Sequence, residues 1–228
     1  MKYDFLFFDA DDTLFDFKKS ENVSFKLVLE KHGIHHGHSP LQESYKKINT
    51  HLWDQHARGK VSQDFLKVER FKRLIEENRL DADPAKVAQD YLHALPDNVF
   101  LIEGASDLLQ TLHQKLPLVI ITNGIGETQH KRLHNSGIKP FIKLMVISEE
   151  CGYTKPDTRI FEYTFSALKS SRHSARALMI GDKLETDILG ANNTNLDSCW
   201  FNPEKERNNT SIVPSYEIQK LSELLKLI

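Results

Sequence analysis

Asp9 and Asp11 stand where a run of apolar residues stops. Tyr3-Asp-Phe-Leu-Phe-Phe8 reads as a fully buried strand, and Asp9-Ala-Asp-Asp12 then sets three carboxylates within four residues. A buried strand that ends in acids carries them to the carboxyl edge of a sheet, the edge at which open α/β folds bind ligands. Residues two apart on extended backbone point the same way, so Asp9 and Asp11 can address one reacting group. Two close carboxylates do not both ionise without a compensating cation or donor. The pair is therefore left with two chemistries, ligation of a metal ion or a division into nucleophile and acid. The competing structural reading is a strand end at which Asp9 or Asp12 caps the next helix.

Other strand ends are polar in the same way. Leu118-Val-Ile-Ile-Thr122 is a second buried strand and runs into Asn123-Gly124; Ala177-Leu-Met-Ile-Gly181 is another and runs into Asp182, with Asp187 five residues on. Strands are also predicted over Leu144–Ile147 and Ser198–Phe201. Helices are predicted around Ala105–Leu112, from about Glu127 to Ser136 with Gly137 ending it, and over about Leu221–Ile228. Strands separated by helices predict an α/β fold with a doubly wound parallel sheet. In the loop Gly152-Tyr-Thr-Lys-Pro-Asp157, Pro156 keeps Lys155 out of helical conformation and suits the first position of a helix. A lysine in isolation reads as a solvated surface charge.

Between the first two strands the period changes to that of helices. Val23, Phe25, Leu27, Val28 and Lys31; Leu41, Tyr45, Ile48 and Leu52; Phe65, Val68, Phe71 or Lys72, and Ile75; and Val87, Tyr91 and Leu95 mark four amphipathic segments, punctuated by glycines and prolines. The expected division is a catalytic core of residues 1–17 and 97–228 and a helical cap of residues 18–96, inserted after the first strand as a lid over the Asp9 edge.

Composition narrows the partners. A chain of 228 residues with a net charge of −2 has no global attraction for nucleic acid or an anionic membrane, so any phosphate must be held locally. No segment has the length of a transmembrane helix, and Phe5–Phe8 is too short for a signal sequence, which points to a cytoplasmic protein. Cys151 and Cys199 make no disulfide framework and read as buried thiols. His32, His35, His36 and His38 crowd around Gly33 and Gly37 without a cysteine partner and read as a surface loop rather than a zinc site; His130 and His134 read as an ordinary exposed helix face.

The polar groups Asp9 with Asp11, Thr122 with Asn123, Lys155, and Asp182 with Asp187 follow one another in an order that resembles the four motifs of the haloacid dehalogenase (HAD) superfamily, from residue 3 to about 200. The resemblance implies a Rossmann-like core and phosphoryl or related group transfer. Asp9 would be the nucleophile that forms an aspartyl-phosphate, and Asp11 the general acid that protonates the leaving oxygen and later the base that activates water. Thr122 and the Asn123 backbone would donate to phosphate oxygens, and Lys155 would supply positive charge. Mg²⁺ would be held by Asp9, the Asp11 carbonyl and Asp182, with Asp187 behind them or acting through water; for Asp187 an early helix position facing the helix dipole is an equal reading. Many family members carry Gly at the position of Asp12 and Ser at that of Lys183.

Asp11 disfavours a dehalogenase, because halide departs without a proton. Phe8-Asp-Ala-Asp-Asp-Thr-Leu-Phe15, Ile121–Gly124, Val146–Glu150, Gly181-Asp182 with Glu185–Gly190, Asn49–Trp53 and Arg70-Phe71 resemble the house-cleaning pyrimidine 5'-nucleotidases. That resemblance implies a small-molecule substrate, a nucleoside 5'-monophosphate, for a monomer or homodimer. Trp53, Phe15 and Phe17 are candidates to stack on a base and Arg70 or Arg58 to hydrogen-bond it; the competing reading makes Trp53 part of the cap's core and the arginines solvated. The alternatives are a sugar-phosphate or phosphoglycolate phosphatase, a mutase of the β-phosphoglucomutase type, and a HAD-fold protein that binds phosphate without turnover.

Overall fold

The first strand, β1 (Phe5–Phe8), has Leu6, Phe7 and Phe8 wholly buried, and a computed structural model shows why both of its faces are apolar. It lies inside a parallel sheet with a neighbour on each side. The structure describes residues 1–35, 37–171 and 173–228. Past β1 the Asp9 amide donates to the Ile180 carbonyl at 2.8 Å, and the Ala10 carbonyl accepts from Leu14 and Phe15. The turn between them needs Asp12 at a φ of 56°, in the left-handed region. Glycine adopts that conformation without strain and Asp tolerates it, so Asp12 can make the turn.

Two compact units follow from the contacts, Met1–Phe17 with Phe100–Ile228, and Lys18–Val99. The second is helical: α1 (Phe17–Lys31), whose first residue belongs to the other unit, α2 (His38–Ala57), α3 (Gln63–Asn78) and α4 (Pro84–Asp97). Ser62 caps α3 through Phe65 N–H, and Asp83 caps α4 ahead of Pro84. An aromatic centre joins the four helices: Tyr45 lies 4.7 Å from Phe25, 5.3 Å from Phe71 and 5.8 Å from Tyr91, ring to ring.

The buried face of α3 differs from the expected one. Phe65 and Val68 are exposed, whereas Leu66, Arg70, Phe71, Leu74 and Ile75 are buried. An arginine occupies the inward stripe, its guanidinium over the Tyr91 ring at 5.0 Å and donating to Asn49 Oδ1 at 3.2 Å. Counting apolar residues alone rotates the face away from it.

The larger unit resumes with α5 (Ala105–Leu112), β2 (Leu118–Thr122), α6 (Gly126–Asn135), β3 (Leu144–Ile147), the short α7 (Ser148–Cys151), α8 (Thr158–Ala167), β4 (Ala177–Gly181), a π-turn at Leu184–Ile188 leading into α9 (Leu189–Asn193), β5 (Asp197–Phe201) and β6 (Tyr216–Ile218). The sheet runs β3-β2-β1-β4-β5-β6 with every pairing parallel. Strand order reverses between β1 and β4, so the crevice at a topological switch point lies beyond Phe8 and Gly181. β6 escapes sequence reading because Tyr-Glu-Ile is three residues with one polar. The closing helix is a 3-10 segment, Leu221–Lys226, whose buried Leu221 and Leu224 match its three-residue period. Cys199 is buried, but Cys151 is only half-buried, on a four-residue helix too short to hide it. Among the described residues no helix is long and apolar enough to cross a membrane.

One apolar layer packs α8 on the sheet through Phe7, Val119, Ile121, Ile160, Phe161, Phe165 and Met179. Phe161 is wholly buried there. Phe161→Ala is expected to lower unfolding stability by about 3–5 kcal/mol in urea titration, since the ring's transfer energy and a residual cavity both count; a loss below about 1 kcal/mol would show that this layer does not carry the fold.

Candidate active site

Lys155 is 1% exposed, and its ammonium donates to Asp9 Oδ1 at 2.6 Å, Asp187 Oδ1 at 2.7 Å and the Ile121 carbonyl at 2.7 Å. All three of its hydrogens are used. This brings together the ends of β1, β2 and β4. The backbone of Lys155 is pinned just as closely, because its N–H donates to Asn123 Oδ1 at 2.9 Å while Asn123 Nδ2 donates to its carbonyl at 3.0 Å. Lys155–Pro156 is a cis peptide, and Pro156 is not the first helical residue as expected: Asp157 caps α8, accepting from Arg159 N–H, and the helix begins at Thr158.

Asp9, Asp182 and Asp187 each direct a carboxylate oxygen to within 4.8 Å of the others, the group among the described residues that could hold a metal ion. Burial raises the Asp9 carboxyl to about 7; Lys155 opposes the rise, and Asp187 and Asp11 add to it. Asp182 is raised well above the usual carboxylate range by burial and then by Asp9 and Asp187. Burial works against the Lys155 ammonium, yet Asp187 and Asp9 outweigh it and the net shift is upward. Lys183 is a second ammonium here: desolvation works against it, yet Asp182, Asp9 and Asp187 raise it, so two ammoniums face three carboxylates and Asp9 and Asp182 are still displaced upward.

A hard divalent cation fits this imbalance. The donor set is all oxygen, and Asp182 Oδ1 is a buried atom with no hydrogen-bond partner among the described residues. Asp187 is engaged differently, with Oδ1 on Lys155 and Oδ2 accepting from Lys183 N–H at 3.1 Å. It lies in the π-turn rather than in a regular first helical turn. Gly181 makes room for it, since a Cβ there would come within 2.4 Å of the Asp187 side chain. The Lys183 side chain is exposed, and Trp200 Nε1 donates to the Asp182 carbonyl at 2.9 Å.

Thr122 is buried at the end of β2, where Oγ1 accepts from Gly124 N–H at 3.0 Å and Gln129 Nε2 at 2.9 Å. Both lone pairs are taken, so the hydroxyl hydrogen is what it has left to give a ligand. Asp11 is gripped from α6: Gln129 Nε2 donates to Oδ2 at 2.8 Å and Arg132 Nη1 to Oδ1. Neither Gln129 nor Arg132 was flagged by sequence reading. Their signal was a Gln and an Arg three apart on a predicted helix, which is indistinguishable from an ordinary solvated face.

Two expected substrate contacts belong to the helical unit. Trp53 is half-buried, with its ring edge-on to His56. Arg70, read above as a substrate contact, is 2% exposed and donates to Asn49 and the Lys67 carbonyl of its own unit, while its Nη2 is buried without a partner among the described residues. The histidines behave as surface groups where they are described: His32 pairs with Asp90 at 2.9 Å, and His130 with Glu150 at 2.6 Å. His36 and the side chain of His38 lie outside the described residues.

A doubly wound parallel sheet that gathers Asp9, Asp11 and an acidic group able to hold a cation at its switch point is the setting of a hydrolase. The chain belongs to the haloacid dehalogenase-like hydrolases, whose family profile matches residues 6–201. It is 39% identical to the HAD-hydrolase YfnB of Bacillus subtilis, covering 100% of this chain and 96% of that one. A crystal structure of YfnB bound to magnesium superposes with a TM-score of 0.91 over 100% of this chain and 99% of the other. Pyrimidine 5'-nucleotidase YjjG of Escherichia coli is 33% identical over 100% of this chain and 99% of its own length, and pyrimidine 5'-nucleotidase PynA of Streptococcus pneumoniae 34% over 99% and 94%. The family expected from the motifs is the family found.

Replacing the central ammonium leaves adjacent buried carboxylates uncompensated. Lys155→Met is therefore expected to cost about 3–5 kcal/mol of unfolding stability in metal-free buffer, measured by urea titration. A stability within about 0.5 kcal/mol of the parent would contradict the role of Lys155 as the charge that holds the strand ends together.

Proposed function

We propose that this chain is a Mg²⁺-dependent phosphomonoesterase of the 5'-nucleotidase type, acting on pyrimidine, deoxy and noncanonical nucleoside monophosphates. The observation that carries the phosphatase reading is Asp11 beside Asp9: a leaving alkoxide needs a proton and a leaving halide does not. The nucleotide preference rests on the two pyrimidine 5'-nucleotidases that align along nearly the whole chain.

In this reading Asp9 attacks phosphorus in line with the ester oxygen, the P–O bond to that oxygen breaks, and Asp11 gives the departing oxygen its proton. An aspartyl-phosphate remains on Asp9. Asp11, now ionised, takes a proton from the water that attacks phosphorus, and the bond to Asp9 breaks to release inorganic phosphate. Thr122 donates its hydroxyl to a phosphate oxygen, beside the Asn123 backbone N–H. Lys155 fixes Asp9 in orientation and offsets its charge. Mg²⁺ would be held by Asp9, Asp182 and the Asp11 carbonyl, with Asp187 behind them, and would supply positive charge that offsets the charge of the phosphate. Asp182 Oδ1, buried without a partner among the described residues, is the oxygen that supports this set.

Trp53 is the aromatic we assign to reading the base, on its ring type and partial exposure. Arg70 is assigned a structural role, because the side chain is buried and its Nε and Nη1 are engaged inside the helical unit.

Phosphate release from a panel of nucleoside 5'-monophosphates and sugar phosphates, with and without Mg²⁺, tests the proposal. Pyrimidine deoxynucleotides should be preferred, and Asp9→Asn should lose more than about a thousandfold in kcat. Preference for sugar phosphates would overturn the substrate and keep the chemistry, whereas full activity in Asp9→Asn would remove Asp9 from the reaction. Binding has its own readout: Mg²⁺ should raise Tm of the parent, as a ligand of the folded state must, and raise that of Asp182→Asn much less. Equal shifts in the two proteins would refute the ligand role of Asp182.

A further inference from the structure

Helix α6 presents two buried polar side chains to the site. Gln129 and Arg132 are each 1% exposed. Gln129 Nε2 bridges Asp11 Oδ2 and Thr122 Oγ1, and its Oε1 accepts from Arg132 Nη1 at 2.9 Å. The same Nη1 pairs with Asp11 Oδ1, so the carboxylate is held at both oxygens from one helix. The Arg132 guanidinium also lies over the rings of Phe15 at 4.6 Å and Phe17 at 5.2 Å, while Nε and Nη2 are buried without partners among the described residues.

Two features show that the arrangement is built. A Cβ on Gly124 would come within 2.3 Å of Gln129 Nε2, so the glycine keeps the space the glutamine fills. The start of α6 is anchored by Glu149 Oε2, which accepts from Gly126 N–H at 2.6 Å. A buried guanidinium with two of its nitrogens unsatisfied is a poor device for stability, because desolvation offsets what one ion pair returns. It is a good device for aim. A carboxyl that must meet the leaving oxygen within hydrogen-bond reach gains from having both torsions held.

We propose that Gln129 and Arg132 are positioning residues that hold the Asp11 carboxyl in the direction of the leaving oxygen. Gln129 also ties Asp11 to Thr122, so the proton donor and the phosphate-binding hydroxyl keep one geometry. The inference rests on the phosphatase reading above.

The test uses two esters. A nucleoside 5'-monophosphate leaves as an alkoxide and needs the proton from Asp11; 4-nitrophenyl phosphate leaves as a stabilised phenolate and needs it far less. Arg132→Met, Arg132→Lys, Gln129→Leu and the reference Asp11→Asn are compared with the parent in kcat and KM on both, with Tm recorded for each. With the nucleotide, Arg132→Met should lose about a hundredfold in kcat, with KM changed less than about threefold. With 4-nitrophenyl phosphate its loss should stay below about tenfold, Gln129→Leu should show the same inequality, and Arg132→Lys should recover about tenfold on the nucleotide. If Arg132→Met does not fold, Gln129→Leu carries the comparison. Should Asp11→Asn discriminate between the esters while the α6 variants lose both equally or neither, positioning is overturned and the phosphatase reading stands. A parent that hydrolyses neither ester overturns both.

Discussion

A buried ammonium with all its hydrogens spent on two carboxylates and a carbonyl is the interaction from which the rest of this site follows. Lys155 is taken out of water, which costs several kcal/mol unless the surroundings return it. Asp9, Asp187 and the Ile121 carbonyl return it at 2.6–2.7 Å. Those partners stand after β1, after β4 and on β2. The ammonium thereby sets the mutual placement of the strand ends at which chemistry is possible. Burial, joined by the neighbouring carboxylates, still displaces Asp9 and Asp182 upward. A crevice with this carboxylate cluster and an Asp182 oxygen that has no hydrogen-bond partner among the described residues suits a divalent cation.

The backbone supports this by excluding alternatives. Asn123 holds Lys155 by hydrogen bonds in both directions, so the loop that carries the lysine cannot drift from the end of β2. Gly181 keeps the space that Asp187 enters. Asp12 turns the chain in the left-handed region just after Asp9 and Asp11, which lets Phe15 return alongside Asp11. Each of these is a local constraint with a geometric purpose, and together they limit the carboxylates to one arrangement.

The helical unit applies the same economy to a different end. Glu21, Asn49, Arg70 and Tyr91 form a buried polar chain, with Asn49 Nδ2 donating to Glu21 Oε1 at 3.2 Å and the Tyr91 hydroxyl to the same oxygen at 3.4 Å. An apolar interior of equal volume would be at least as stable. This polar chain links α1, α2, α3 and α4, and a slipped helix would leave a buried Glu21 or Arg70 without its partner.

Much of this was legible before any coordinates. The strands ending at Phe8, Thr122 and Gly181 declare themselves by uninterrupted apolar residues, and a parallel order follows because helices separate them. Asp9, Asp11, Thr122 and Asp182 are legible as polar residues where apolar strands stop, whereas Lys155, on a loop, stands out only through a motif order that resembles a known family. Tertiary structure alone decided that Lys155 is buried between two aspartates, that Arg70 faces inward, and that Gln129 and Arg132 reach Asp11 across 118 and 121 residues. The reason is physical. Hydropathy and spacing record what a residue does to its own helix or strand, whereas a buried charge is settled by a partner from another part of the chain, and only the packed fold brings that partner within reach.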